Sequence, residues 1–428
     1  MKTKKLQYNQ KQEGDDIMKY ASWMSKDELK DVLKETQNYQ KGIIPLIHEN
    51  NKTYGIDIEN TLIIGGPGSG KTQSILLPTI KNIITNNESL IVNDTKETIL
   101  KETQKLLQEK NYNIIEINFE NNNSKNKWNP FDLPTKLYKE NKNDESLELI
   151  KDIITPIFQD KKQTGDPFWT ISCIDLAVGT ALYLLENNKK VTLKEIYMTA
   201  QTLTKENLKT LDKTKKAYYF LTGILSSPLE TKGSILATFN QKITNYITKD
   251  ITQNIISTTT FDIKKIKTEK TALFITKNTS EISNTLTQIL ITQILKTIEI
   301  YNQKENNLTL LLEDFDEIAP IKNCSKILTN IRNYNINTIL TIKGSITLET
   351  KYQKEDIELI EMCTTNLIYL YSKDLKTLEK ISKICGNTSK EEQLITTEEL
   401  QRLNKFEALI KLPRLNAIKL DLTPKNKK

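Results

Sequence analysis

The segment GGPGSGKT (65–72) holds the residues with the clearest chemical use. It contains G-x-x-x-x-G-K-T as Gly65, Gly70, Lys71 and Thr72. Glycines let backbone N–H groups face a phosphate without interference from Cβ, so Gly65, Gly66, Pro67, Gly68, Ser69 and Gly70 form a candidate cradle. Lys71 is placed to reach the β and γ phosphates, and the Thr72 hydroxyl to complete a magnesium shell. The chemistry implied is binding of a nucleotide such as ATP with Mg2+.

A phosphate loop that hydrolyses nucleotide needs a second acidic group to hold the metal and prepare water. The best candidate is LLLEDFDEIAP (310–320), where an apolar run ends in Glu313 and Asp314. Asp94, in LIVNDTKE, is the other strand-end acid but has no adjacent acid. In nucleotide hydrolases the usual order is Asp then Glu, so the reversed pair leaves three readings open: a working catalytic edge, a weakened one, or a solvated acidic loop.

Positioning such groups requires a sheet, and short apolar runs recur as a parallel one would need. They are TLIIGG (61–66), SLIVND (89–94), YNIIEINF (112–119), TALFIT (271–276), LTLLLE (308–313), INTILTI (336–342), NLIYLY (366–371) and FEALIKL (406–412). Most are continuous rather than alternating, as expected for strands covered on both faces. Residues 143–263 break the rhythm. Ile150, Ile153, Ile154, Ile157 and Phe158 have helical spacing, Asp166 and Pro167 suit a helix start, and Thr192 with Glu195 suits a capping box. The expected organisation is a lead-in (1–55), a first α/β part (56–142), an inserted all-α domain (143–263) and a second α/β part (264–428).

Composition narrows the class without naming it. The chain of 428 residues carries a formal charge of +7, with basic runs at its ends, MKTKK and TPKNKK. This charge neither requires nor excludes nucleic acid. Four separated cysteines and a single histidine, His48, argue against a disulfide framework or a zinc site. His48 is expected in a surface loop. Trp23, Trp128 and Trp169 are expected in core or interface packing rather than base stacking. The longest apolar stretch, AVGTALYLL (177–185), is shorter than a bilayer span, so a cytoplasmic or peripheral location is expected.

Several segments, in order, resemble the TraG-like coupling proteins of conjugative type IV secretion systems, within the FtsK/HerA-type motor superfamily. KYASWMSKDELKDVL (19–33) looks like that family's lead-in, LIVNDTKETI its second-strand segment, KWNPFD (127–132) its WNP signature, and GDPFW (165–169) the opening of its all-α domain. LLLEDFDEIAPI stands where the family has LLLDEFANLGKI, and the closing segment resembles its terminal hairpin. The likeness runs from about residue 19 to 420 and implies a RecA-like P-loop NTPase with a mostly parallel central sheet.

The resemblance also implies roles. Glu313 falls at the metal-shell position with Thr72, Asp314 at the water-orienting position, and Arg332 where the family has an arginine finger that enters a neighbour's site. Lys343 occupies the place of the family's glutamine, a γ-phosphate sensor. The N-terminal spanning helices of most members are expected to be missing here. The implied function is an ATP-dependent coupling protein that delivers single- or double-stranded DNA with its relaxase to a type IV secretion channel, as a homo-hexamer. The alternative is a nucleotide-binding adaptor that recruits relaxase or protein substrates but hydrolyses poorly. A chromosome-partition pump of the same superfamily fits the WNPFD and GDPFW segments less well.

Overall fold

The computed structural model describes residues 20–424 apart from 38, 40, 122–123, 160–164 and 278. The MKTKK start, the first residue of the 19–33 lead-in and the terminal lysines of TPKNKK lie outside these residues. Three strands, β1 (Lys34–Glu35), β2 (Ile43–Glu49) and β3 (Lys52–Asp57), form a small antiparallel sheet. Nine more form the main sheet: β4 (Asn60–Gly65), β5 (Ser89–Asp94), β6 (Asn113–Ile117), β7 (Thr271–Thr276), β8 (Leu308–Leu312), β9 (Ile336–Ile342), β10 (Asn366–Tyr371), β11 (Glu407–Lys411) and β12 (Ala417–Asp421). Their order is β12-β11-β10-β4-β9-β8-β5-β7-β6.

From β10 to β6 every pairing is parallel, and β11 and β12 close one edge as an antiparallel hairpin. All eight expected runs became strands. Their unbroken apolar character follows from burial on both faces. Leu62 and Ile64 join a core shared with the intervening helices, whereas Ile63 between them joins a second core with Ile80, Ile83 and Ile84. Residues from the small sheet, Ile44 and Ile56, complete that second core. The fold is RecA-like α/β, with helices inserted between β6 and β7.

Those inserted helices include Asn143–Phe158, Pro167–Glu186, Leu193–Thr202, Lys216–Leu225 and Leu229–Ile247. Asp166 caps its helix by accepting from the Phe168 N–H at 2.9 Å, with Pro167 at the first position, where no N–H is needed. Thr192 accepts from the Glu195 N–H at 3.1 Å, one half of the expected capping box. The WNP segment is an anchor. Trp128 is 1% exposed, its backbone N–H donates to Ile255 O at 2.8 Å, and Asn129 Nδ2 donates to Val191 O at 3.0 Å.

Two expectations need correction. His48 lies on β2 rather than in a loop, with Nδ1 2.8 Å from Thr53 Oγ1, because the hairpin β2–β3 extends to Glu49. The apolar stretch is longer than expected, since the 20-residue helix Pro167–Glu186 contains an 18-residue span of mean hydropathy 1.6, long and apolar enough by composition alone to cross a bilayer. Its Asp175 and small polar residues interrupt the stretch in the sequence, but the flanking Ile, Leu and Val residues keep the average high. Leu176, Ala177, Val178 and Leu182 of this helix are buried within the protein core.

The long helix Glu281–Ile300 is tied to the WNP segment, where Gln293 Nε2 donates to Pro130 O at 2.6 Å. Its N-terminus is held by Glu120, which accepts from Ser280 N at 2.7 Å, Ser283 Oγ at 2.7 Å, and Thr279 N and Oγ1 at 3.0 and 2.7 Å. Burial pushes this carboxyl upward, but the four donors outweigh it and hold its pKa at about 2. A depressed carboxyl adds stability above its unfolded pKa, and loses it as pH falls through the folded value. Glu120→Gln should therefore lower the melting temperature at pH 7 by roughly 1–3 °C. Scanning fluorimetry at pH 3, between the unfolded and folded values, should find that gap narrowed by about half. An equal gap at both pH values would remove the ionised cap from the account.

Candidate functional site

Parallel registry brings the phosphate loop and the acidic turn to one edge of the sheet. Ile64 pairs with Ile342, and Leu340 with Leu312, so the carboxyl ends of β4, β9 and β8 are level. Open α/β sheets bind ligands at that end. The loop leaves β4 at Gly65, and Gly66 N–H donates to Tyr371 O at the end of β10, 2.6 Å away. Gly68 and Gly70 have φ of +76° and +99°, which glycine adopts readily. A Cβ on Gly70 would lie 2.6 Å from the Phe406 ring, just before β11. After Lys71 the chain makes one wide π-type turn, Thr72–Leu76, ahead of Pro78 and the helix Leu77–Thr85.

The side chains converge as the motif requires. Thr72 Oγ1 donates to Glu313 Oε1 at 3.0 Å, which joins the phosphate loop to the end of β8. Lys71, 8% exposed, donates to Gly65 O and lies 4.0 Å from Asp314 Oδ1. Ser69 Oγ is buried without a hydrogen-bond partner. Burial draws the Lys71 ammonium below the ordinary lysine range, opposed by Asp314, Asp316 and Glu313. Burial likewise pushes Glu313 up to about 7, with the Thr72 hydrogen bond opposing and Asp314 and Asp94 adding to the rise.

The acidic turn is braced by the strands on both sides of β8. Asn93 Nδ2 donates to Glu313 O at 2.8 Å, Asp314 N–H to Thr341 Oγ1 at 3.0 Å, and Phe315 N–H to Thr341 O at 2.8 Å. Asp314 takes a left-handed conformation with φ of +51°, and its Oδ2 is 3.5 Å from Thr95 Oγ1. Sequence reasoning missed Asn93 and Thr341. Each is a polar residue inside an apolar strand run, and that is the signal that would have found them. Asp94 has a structural position: it is fully buried and accepts from Thr98 N–H at 3.0 Å and Leu100 N–H at 2.8 Å, at the start of helix Thr98–Glu109.

Lys343 follows β9 directly and forms an ion pair with Glu317. Burial lowers its pKa, but Glu317 and then Asp314 and Asp316 outweigh this and leave it above the ordinary lysine value. Arg332 does not join the cluster. It is exposed in the short helix Ile331–Tyr334 ahead of β9, where it donates to Thr365 ahead of β10. The length of a seven-residue strand, roughly 20 Å, separates that edge from the phosphate loop.

The family model for type IV secretory system conjugative DNA transfer matches residues 12–407. The chain belongs to this conjugative DNA-transfer family. Among solved structures, the unbound bacterial conjugative coupling protein TrwB superposes with a TM-score of 0.68 at 15% identity, covering 96% of this chain and 95% of that one. TrwB with the ATP analogue ADPNP gives 0.69 at 15% identity, covering 96% of each chain. VirB4 of Thermoanaerobacter pseudethanolicus gives 0.53 at 14% identity, covering 91% of this chain and 99% of that one. These likenesses establish the fold. No curated protein matches the sequence significantly.

Gly70 meets two separate restrictions, its positive φ and the Phe406 ring. Gly70→Ala should destabilise the fold by more than about 1 kcal/mol, the usual cost of a left-handed residue. Adding Phe406→Ala should recover part of that loss relative to the Phe406→Ala parent, because only the backbone strain remains. Urea unfolding of the four chains measures both terms, and strict additivity would exclude the ring contact.

Proposed function

We propose that the chain is an ATP-powered coupling protein that moves conjugative DNA, carried with its relaxase, into a type IV secretion channel. The observation that carries this reading is the Thr72–Glu313 contact beside Lys71, which unites two widely separated segments in one nucleotide site. Solved TrwB structures hold ADPNP, a GTP analogue, and ADP with Mg2+. The groups present here fit the same ligands. Ser69 Oγ lacks a partner, two glycines hold positive φ, and Thr72 and Glu313 supply adjacent oxygens suited to Mg2+. When bound, the metal would polarise a phosphoryl oxygen.

In this reading Lys71 binds the phosphates, Glu313 and Thr72 hold the metal, Asp314 orients water, and the Gly65–Gly70 backbone cradles the nucleotide. A homo-hexamer at the cytoplasmic face of the membrane would place Arg332 against a neighbour's site. Exposure at the opposite sheet edge suits a residue that acts between subunits. The all-α insertion, taken as residues 143–263, would select substrate.

The adaptor reading remains the specific competitor, favoured by the Lys343–Glu317 pair and by the shorter Asp314 carboxylate in the water position. Lys71→Ala should abolish ATP binding under both readings. DNA-stimulated phosphate release separates them, and its absence in a chain that binds ATP would defeat the motor. The exchange Glu313→Asp with Asp314→Glu should lower turnover in a working motor and raise it in a drifted adaptor.

Arg332→Ala should leave ATP affinity within about twofold and reduce turnover by roughly 1,000-fold, the usual scale for an arginine finger. Mixing the inactive Arg332→Ala and Lys71→Ala chains should restore some phosphate release, since each supplies what the other lacks. No restored activity from mixed assemblies would count against action between subunits.

A further inference from the structure

The turn after β8 carries two more carboxylates, Asp316 and Glu317, and both are committed to Lys343. Asp316 is 4% exposed, and its Oδ2 accepts from the Lys343 N–H at 3.3 Å. On the other side of the residue, Ser372 Oγ donates to Lys343 O at 3.2 Å. The backbone of Lys343 is therefore held at both its N–H and its carbonyl, and only the side chain is free to change partner. That side chain ends at Glu317 Oε1.

Register places this second lysine beside the phosphate loop. Ile342 pairs with Ile64, so Lys343 follows β9 level with Gly65, where the cradle begins. Its charge is felt at Lys71, which lies in the same field of carboxylates. The Lys343–Glu317 pair is about one-third to one-half exposed, 33% and 44% for the two side chains. Ion pairs this open contribute little and exchange partners readily. A phosphoryl group arriving at the loop offers Lys343 more negative charge and three acceptor oxygens.

We infer that Glu317 is a tether on Lys343, released when a nucleotide's terminal phosphoryl group takes the ammonium, so that exchange of this partner distinguishes triphosphate from diphosphate. The inference rests on the nucleotide-site reading above. Glu317 is a positioning residue, acting through Lys343 rather than on the nucleotide. A diphosphate, ending one group short, leaves the pair intact. Competition from Glu317 accordingly weakens triphosphate binding alone.

The test is calorimetric titration of the full chain with ADPNP and with ADP, both with Mg2+. Glu317→Gln should tighten ADPNP binding several-fold, up to about tenfold, and leave ADP within twofold. Glu361→Gln, which frees Lys380 from another lysine–glutamate pair, removes the same unit of charge elsewhere and should leave the ADPNP-to-ADP ratio unchanged. Lys343→Gln should reduce discrimination between the two nucleotides, and adding Glu317→Gln to it should change nothing further. Equal tightening of both nucleotides by Glu317→Gln, or the same gain in the Lys343→Gln background, would overturn the tether while leaving the nucleotide site standing. A parent chain that binds neither nucleotide would overturn the site and the tether together.

Discussion

The site depends on a single backbone constraint, the level ends of four parallel strands. Glu313 reaches Thr72 because the turn after β8 is gripped from both sides, by Asn93 on β5 and by Thr341 on β9. Thr341 offers its hydroxyl to one turn N–H and its carbonyl to the next. Buried backbone donors that lose such partners are costly, so these bonds fix the turn before any ligand arrives. Side-chain identity matters less to this frame than register does. That is consistent with a preserved fold at 15% identity to TrwB.

The sheet was legible because burial on both faces leaves a plain mark, the unbroken run of β-branched and leucine residues. Strands such as TALFIT and INTILTI therefore coincide with their runs residue for residue. The phosphate loop was legible for a different reason: positive φ at Gly68 and Gly70, with the Phe406 ring against Gly70 as well, favours glycine at both positions. Contacts between distant segments left no such mark. Glu120 holds a helix that starts about 160 residues later, and nothing near it in sequence announces that role. His48 was misplaced for a related reason, since a polar two-residue end to β2 looks like a loop until its partner Thr53 is known.

Arg332 shows what topology adds to a residue that sequence can only single out. Arg332 is one of three arginines in the chain, and the family resemblance singled it out by position. The fold puts it ahead of β9, whereas Lys343 stands just after the same strand. One strand thus carries a cation at each end. The lysine lies beside the chain's own phosphate loop and the arginine lies on the far edge. A parallel sheet has two chemically distinct edges, and any surface that packs against the far edge meets Arg332 rather than the acidic turn.

The reversed acid order follows from the same turn. Asp314 has φ of +51°, a region that aspartate enters more readily than glutamate because its short carboxylate can bond to nearby backbone. The longer residue then falls at 313, the first position after β8, where its extra methylene spans the distance to Thr72 Oγ1. Exchanging the two would move a glutamate into the left-handed position as well as shifting the carboxylates. Loss of rate in that exchange therefore has a backbone component, separable by measuring its stability alongside its turnover. The four carboxylates of EDFDE thus resolve into distinct commitments: Glu313 to Thr72, Asp314 to the field of Lys71, Asp316 to the amide of Lys343, and Glu317 to its ammonium.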